Sequence, residues 1–497
     1  MTEPTEIAAQ TEPNANGDPN TRKRKLKLRT KLAFSSGSLQ EATVSAAGIT
    51  TMIFYNQVLG LSPGLCGIAF MIASIVDAIS DPLVGAISDR FDSRWGRRHP
   101  FMFVAAFPLG VSFYFLYAPI GGLGETGLFA WLITCLVVMR LAYTFYNIPH
   151  DALGAELTDD YHERTSLFGY NSVIGAGLSI GMAYFVYMVV FGSTPEYSNG
   201  LLNEGRYPLM AIAGGFLVVG AVMMCALGTA DQIPYLHQVR KERIEYKAYF
   251  KELLQLVVNP SYAAVCGSWL TVSIGLSILG MVSTYTYVYA FELSTEAMAI
   301  AALTKFPGIV VALPLATLMT RWIDKKGTVI AISLFSACVI GSPYVLKMMG
   351  WFVSNDSPWL LLALFGPLFL GYMIFPVVPI VVDSQLVDIA DDHEFRTGRR
   401  SEGIVFSIRT FAMKATGGLG GMVGGFALEF IGFPQDAQVG QLATETINGL
   451  LFVSGPLYIA TSGLGMLFMI MYRLNEKRHQ EILTALEERR GADAGNS

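Results

Sequence analysis

Apolar segments long enough to cross a bilayer recur twelve times in this chain of 497 residues, and no other feature restricts its fold so tightly. They fall at about 33–59, 64–89, 100–119, 127–153, 167–192, 207–229, 259–291, 297–320, 328–350, 358–389, 402–432 and 447–472. Each supplies the roughly 20 residues that a helix needs to span a ~30 Å hydrocarbon layer. The residues AVILMFWYC make up 52% and DEKR 15%, where soluble domains carry roughly 25% charged residues. With 31 Phe, 22 Tyr and 21 Met the chain is no disordered polymer, and its net charge of -5 excludes the basic field of a nucleic-acid binder. The expectation is an all-α integral membrane protein. Its five cysteines, Cys66, Cys135, Cys225, Cys266 and Cys338, lack metal-ligand spacing and read as small core residues.

The only long charged interruption follows the sixth segment, so the chain divides in two. Residues 1–32 read as a disordered cytoplasmic tail ending in a basic run, Arg22 to Lys31. A six-helix half occupies 33–230, a central cytoplasmic loop 231–258, a second six-helix half 259–473 and a charged cytoplasmic tail 474–497. Lys and Arg concentrate on the cytoplasmic flanks of short loops. Counted by side, 28 fall on one face and two, Arg206 and Lys347, on the other, which places both termini in the cytoplasm. The segment from Asn475 to Arg490 reads as an amphipathic helix with Leu483 and Leu486 on one side, a solvated tail.

The halves also echo one another. After the second segment comes Gly85-Ala-Ile-Ser-Asp89-Arg90 with Arg97-Arg98 beyond it, and after the eighth comes Arg321-Trp-Ile-Asp324-Lys325-Lys326-Gly327. Both set an acid beside a basic cluster at a helix end, as related halves would. Gly-x-x-x-Asp-Arg followed by Arg-Arg resembles the signature loop of the major facilitator superfamily, and implies its fold. Asp89, Arg90, Arg97, Arg98, Asp324 and Lys325 are then the expected cytoplasmic gate.

Ionisable groups inside an apolar span are costly unless paired or hydrated, so each is a functional candidate. Asp77 and Asp81 are four residues apart, on one helix face and about 6 Å apart at Cβ. Two such carboxylates in low dielectric require a proton or a cation between them. Pro82 frees the Ala78 carbonyl from its helical partner, and Ser74 and Ser80 lie nearby. Lys414, twelve residues into its own span, is the expected charge partner. Two carboxylates and one ammonium leave a charge of -1, which one Na⁺ or H⁺ neutralises. Arg140, Tyr143, Thr144, Asn147 and Asp151 form a polar stripe along one helical face. It suits a hydroxyl-rich ligand, as does Glu41 among small residues. The bland alternative is that Glu41 and Arg140 merely pair and hold two helices together.

Asp77-Ala-Ile-Ser-Asp81-Pro82, Tyr143-Thr144 with Asn147-Ile148-Pro149, Glu163-Arg164-Thr165 and the run from Ser407 to Lys414 together resemble the glycoside-pentoside-hexuronide:cation symporters, melibiose permease among them. The resemblance covers roughly residues 30 to 475. It implies a coupling-cation site, Na⁺ included, at Asp77 and Asp81 with Thr144, Ser80 and Thr410, and Lys414 beside it. The family's sugar-contacting positions fall on Glu41, Tyr143, Asn147 and Asp151. Glu41 and Asn147 replace aspartates there and Asp151 a tryptophan, while Arg140 has no counterpart in melibiose permease. The cation machinery thus matches better than the sugar pocket.

The expected function is cation-coupled symport of a sugar, glycoside or uronide by alternating access, in a multi-pass protein of the cell membrane. The alternative within the same fold is a lysolipid or amphiphile symporter. The expected partners are a small carbohydrate and the lipid bilayer, with no nucleic acid, no cofactor beyond the coupling ion, and a monomeric state. No constellation of an enzyme stands out: the six histidines lie at helix ends or in loops without metal spacing.

Overall fold

Apolar runs punctuated by capping residues fold into helices along the whole of the computed structural model, which describes residues 25–91, 93–158, 160–236, 256, 258–304, 306–397 and 402–495. Among these residues no strand forms. Of the expected basic run Arg22 to Lys31 the first three residues lie outside them, as does most of the central loop, while the run's end is helical from Leu28 rather than part of a disordered tail. Helix starts follow side-chain chemistry. Ser62 accepts from the Leu65 amide ahead of α3 (Pro63–Arg90), and Asp160 accepts from the Glu163 amide ahead of α6 (Tyr161–Phe185). Asn259 does the same for α8 (Pro260–Tyr285), where Pro260 occupies the first turn and lacks only an amide that would have no partner.

All twelve apolar segments are helical, with breaks where the sequence supplies a reason. The first divides at Ser36-Gly37 into α1 (Leu28–Ser35) and α2 (Ser38–Ile53). Gly37 is required because a Cβ there would strike the Tyr146 hydroxyl. The next segments are α4 (His99–Tyr117), α5 (Glu125–Glu156) and α7 (Tyr207–Gly228). In the second half α9 (Thr295–Leu303) leads into α10 (Phe306–Met348), which turns sharply at Ile323 and Asp324. The tenth segment breaks at Pro376 into α11 (Leu360–Ile374) and α12 (Val377–Thr397), since proline cannot continue the ladder. Then follow α13 (Glu402–Phe430), α14 (Thr444–Phe452) and α15 (Tyr458–Phe468). Nine helical runs among the described residues are long and apolar enough to cross a membrane.

The tail departs from expectation. Instead of standing in solvent, α16 (Glu476–Gly495) packs on the second half. Ile482 and Leu486 are 1% and 4% exposed while Leu483 faces out. Its apolar face is therefore set by the i, i+4 pair, and it is held at the edges by His479 on Asp391 at 3.0 Å and Arg489 on the Phe395 carbonyl at 2.9 Å. The cysteine reading also needs correction: Cys66, Cys135 and Cys225 are buried, but Cys338 is exposed.

Two features join the halves. α3 and α13 run antiparallel and approach backbone to backbone through glycines, Gly67 against Gly421 and Gly425 against Pro63. At the end opposite the basic loops, helical turns widen to π geometry at Phe54–Val58 and Thr286–Ala290. There Gln57 crosses between halves. Its Nε2 donates to the Pro434 carbonyl at 2.9 Å, and its Oε1 accepts from the Tyr289 hydroxyl at 2.9 Å and the Ala437 amide at 3.2 Å. Tyr285 donates to Asn56, and the Gly200 amide to Thr295 at 2.7 Å. The Ser193 amide donates to Glu296 at 2.7 Å. Burial pushes the Glu296 carboxyl up, but hydrogen bonds from the Ser193 amide, its own amide and the Ser193 and Ser294 hydroxyls together outweigh it and leave the group below its ordinary value.

At Gly67 an added Cβ would lie 2.9 Å from the carbonyl oxygens of Gly421 and Met422, and backbone atoms have no rotamer by which to yield. Gly67→Ala is expected to cost about 1–3 kcal/mol, read as a lower melting temperature in detergent. Gly417→Ala, whose Cβ meets nothing within 4 Å, is the control expected to melt like the parent.

Candidate cation and substrate site

α3 and α5 pack side by side, and the polar residues foreseen on each meet near the middle of the bundle. Asp77 is 7% exposed. Thr144 reaches across from α5, its Oγ1 2.8 Å from Asp81 Oδ1 and 3.4 Å from Asp77 Oδ1, with Ser80 Oγ at 3.1 Å. Three oxygen-bearing side chains therefore converge on one hydroxyl. That hydroxyl has a single proton, so it donates to one carboxylate at a time.

Each carboxylate has a cationic neighbour. Lys414 of α13 forms an ion pair with Asp81 across the halves. Arg140 Nη1 stands 3.2 Å from Asp77 Oδ2. The expected balance of two acids against one base, and the alternative pairing of Arg140 with Glu41, both differ from what forms. Geometry corrects both points: the guanidinium sits one α5 turn from Thr144 and so faces Asp77, and two acids meet two bases with no net charge. Thr410 lies where side chains are outside the described residues.

Beside this cluster a cavity of about 590 Å³ opens between the halves. Its walls include Glu41 and Ser45 of α2, Ser74 of α3, Arg140 and Tyr143 of α5, Ser277 of α8 and Gly417 of α13. Glu41, Arg140 and Tyr143 thus line one space. Asn147 and Asp151 continue the stripe toward the basic-loop end, where Asn147 Nδ2 is 3.4 Å from Asp151 Oδ2 and His150 is a further neighbour. The wall is two-natured, with Ile49, Phe70, Phe113, Leu136 and Met281 completing it.

The basic loops anchor within their own halves. Arg98 pairs with Asp89 at 2.5 Å and with Glu156 at 2.8 Å, and Arg97 joins Glu156 at 2.8 Å. Arg98 also donates to Ser88, whereas Arg90 is exposed at the end of α3. In the second half Asp324 does not receive its neighbouring lysine's ammonium. It accepts from the Lys325 amide at 2.6 Å and so caps the helix beyond the turn, with φ of +61°. The Lys325 ammonium goes to Asp388 of α12 at 2.7 Å. Sequence reasoning missed both Glu156 and Asp388. For Glu156 the available signal was its place at the end of α5, where an acid opposes the macrodipole and wants a cation; Asp388, inside α12, carried no such signal.

The model of the family described as MFS/sugar transport protein matches residues 34–476. The putative glycoside/cation symporter YagG of Escherichia coli (strain K12) is 24% identical, over 88% of this chain and 90% of its own. The isoprimeverose transporter of Lactiplantibacillus pentosus is 25% identical, over 88% and 86%. Among solved structures, the xylose transporter XylE from E. coli in an inward-open conformation superposes with a TM-score of 0.59 at 16% identity, covering 92% of this chain and 98% of that one. The nucleoside transporter NupG does so with 0.58 at 13%, covering 90% and 99%. At such identity these two establish a shared fold.

Glu156 is 8% and Arg98 4% exposed. Glu156→Gln strips the carboxylate from two arginines and is expected to destabilise the protein by about 3 kcal/mol. Thermal unfolding in detergent checks this, with Glu156→Asp falling between.

Proposed function

The chain belongs to the family of MFS/sugar transport proteins, and from that premise we propose that it is a cation-coupled symporter of a sugar or glycoside. Its family and fold neighbours are membrane transporters and not enzymes, and it is a multi-pass protein of the plasma membrane. The finer reading has twelve crossings divided as 33–230 and 259–473, with both termini cytoplasmic.

One observation carries the proposal. A carboxylate pair inside the bundle, balanced by one cation from its own half and one from the other, is joined through Arg140 to a cavity that this arginine lines. In the proposed cycle the coupling ion binds at Asp77 and Asp81, with oxygens from Thr144, Ser80 and Thr410, while Lys414 remains the charge partner. A sugar lies in the cavity against Glu41, Arg140 and Tyr143, with Asn147 and Asp151 along its route. The halves then rock: the Gln57 clasp opens and the loops carrying Asp89, Arg90, Arg97, Arg98, Asp324 and Lys325 close. The relatives' names, a glycoside/cation symporter and an isoprimeverose transporter, support a carbohydrate. Na⁺ and H⁺ both fit an all-oxygen carboxylate site. The apolar part of the cavity wall favours a second reading, symport of a lysolipid or other amphiphile.

Counterflow into vesicles containing the purified protein, against glycosides, uronides and lysolipids, each with a Na⁺ or a pH gradient, separates the readings. Glycosides are expected to exchange; competition by lysolipids alone favours the second reading. Asp77→Asn and Asp81→Asn are each expected to reach the membrane yet abolish gradient-driven accumulation, and retained accumulation overturns the site assignment.

A further inference from the structure

Arg140 belongs to two places at once. It pairs with Asp77, and it lines the cavity with its side chain 39% exposed. An arginine stays protonated, so its charge leaves Asp77 only when the side chain moves. The contact is one nitrogen to one oxygen at 3.2 Å, not the bidentate fork that holds guanidinium to carboxylate most firmly. Its Nε is buried without a hydrogen-bond partner, so the head is incompletely satisfied where it stands. The groups around it are Asp77, Asp81, Thr144 and Lys414 on one side and Glu41 and Tyr143 on the other. With Arg140 and Lys414 in place the carboxylates offer an incoming cation no surplus charge. A cation at Asp77 therefore competes with Arg140, the one of the two bases that borders the cavity.

Resting on the symport reading above, we infer that Arg140 is the element linking ion to substrate. It neutralises Asp77 in the empty protein, is displaced when a cation takes that carboxylate, and then donates to glycoside oxygens in the cavity. Each ligand thereby tightens the other, as linkage requires. A neutral side chain at this position removes the competitor and the substrate donor together, so the two affinities move in opposite directions, which a merely structural residue would not do.

The test uses the full chain in detergent, with Na⁺ titrated calorimetrically and proton uptake followed by a dye in weak buffer. Each is run with and without the glycoside that exchanges best in the counterflow panel. In the parent, glycoside is expected to tighten Na⁺ or to draw in a proton. Arg140→Gln is expected to bind the cation roughly tenfold more tightly without glycoside, to bind glycoside more weakly, and to lose the mutual effect. Arg140→Lys, keeping the charge, is expected to restore the parent's cation affinity and part of the linkage. Unchanged or weaker cation binding in Arg140→Gln, or intact linkage, overturns this inference alone. A parent whose glycoside binding ignores both Na⁺ and protons overturns the symport reading itself.

Discussion

Two carboxylates one helical turn apart cannot both stay ionised and bare in a medium of low dielectric, and this constraint organises the middle of the molecule. Asp77 and Asp81 draw a guanidinium from α5 and an ammonium from α13, and their remaining oxygens meet the hydroxyl of Thr144. The second of these contacts crosses between halves. The carboxylates proposed to take the ion thus also fasten the two halves whose relative motion the proposed cycle requires. The glycine seam along α3 and α13 makes that reach short, because helices that touch at the backbone bring a mid-helix lysine directly onto its acid.

Much of the core chemistry was readable in residue order alone. Spacing four apart puts Asp77 and Asp81 on one face, stripe periodicity puts Arg140 and Thr144 on another, and a lysine deep in an apolar run demands an acid. Periodicity says which face a residue occupies and nothing about the helix that will cover it, so Arg140 could be offered to Glu41 as readily as to Asp77. The tail shows the same limit. Its apolar positions were visible, but choosing Ile482 with Leu486 over Leu483 with Leu486 needed the surface of α12 as well.

Other features leave no trace in a sequence pattern. The groups of the Gln57 clasp are amides and phenols at the ends of apolar runs, where polar residues are ordinary, and π turns carry no periodic signature of their own. Glu156 and Asp388 resemble routine flanking acids until Arg97, Arg98 and Lys325 fold back onto them. These missed groups all act through partners distant along the chain. What the halves share shows more clearly in the structure: in each, a cation at the basic-loop end reaches a carboxylate on a later helix of the same half.

The even count of acids and bases at the centre has an electrical consequence. A transmembrane voltage does work only on charge that moves through it, about 2.3 kcal/mol per elementary charge over 100 mV. Asp77, Asp81, Arg140 and Lys414 together present the field with nothing to pull while they remain paired. In the proposed cycle these four groups carry no net charge through the field when the empty carrier reorients, and the electric driving force enters with the coupling ion.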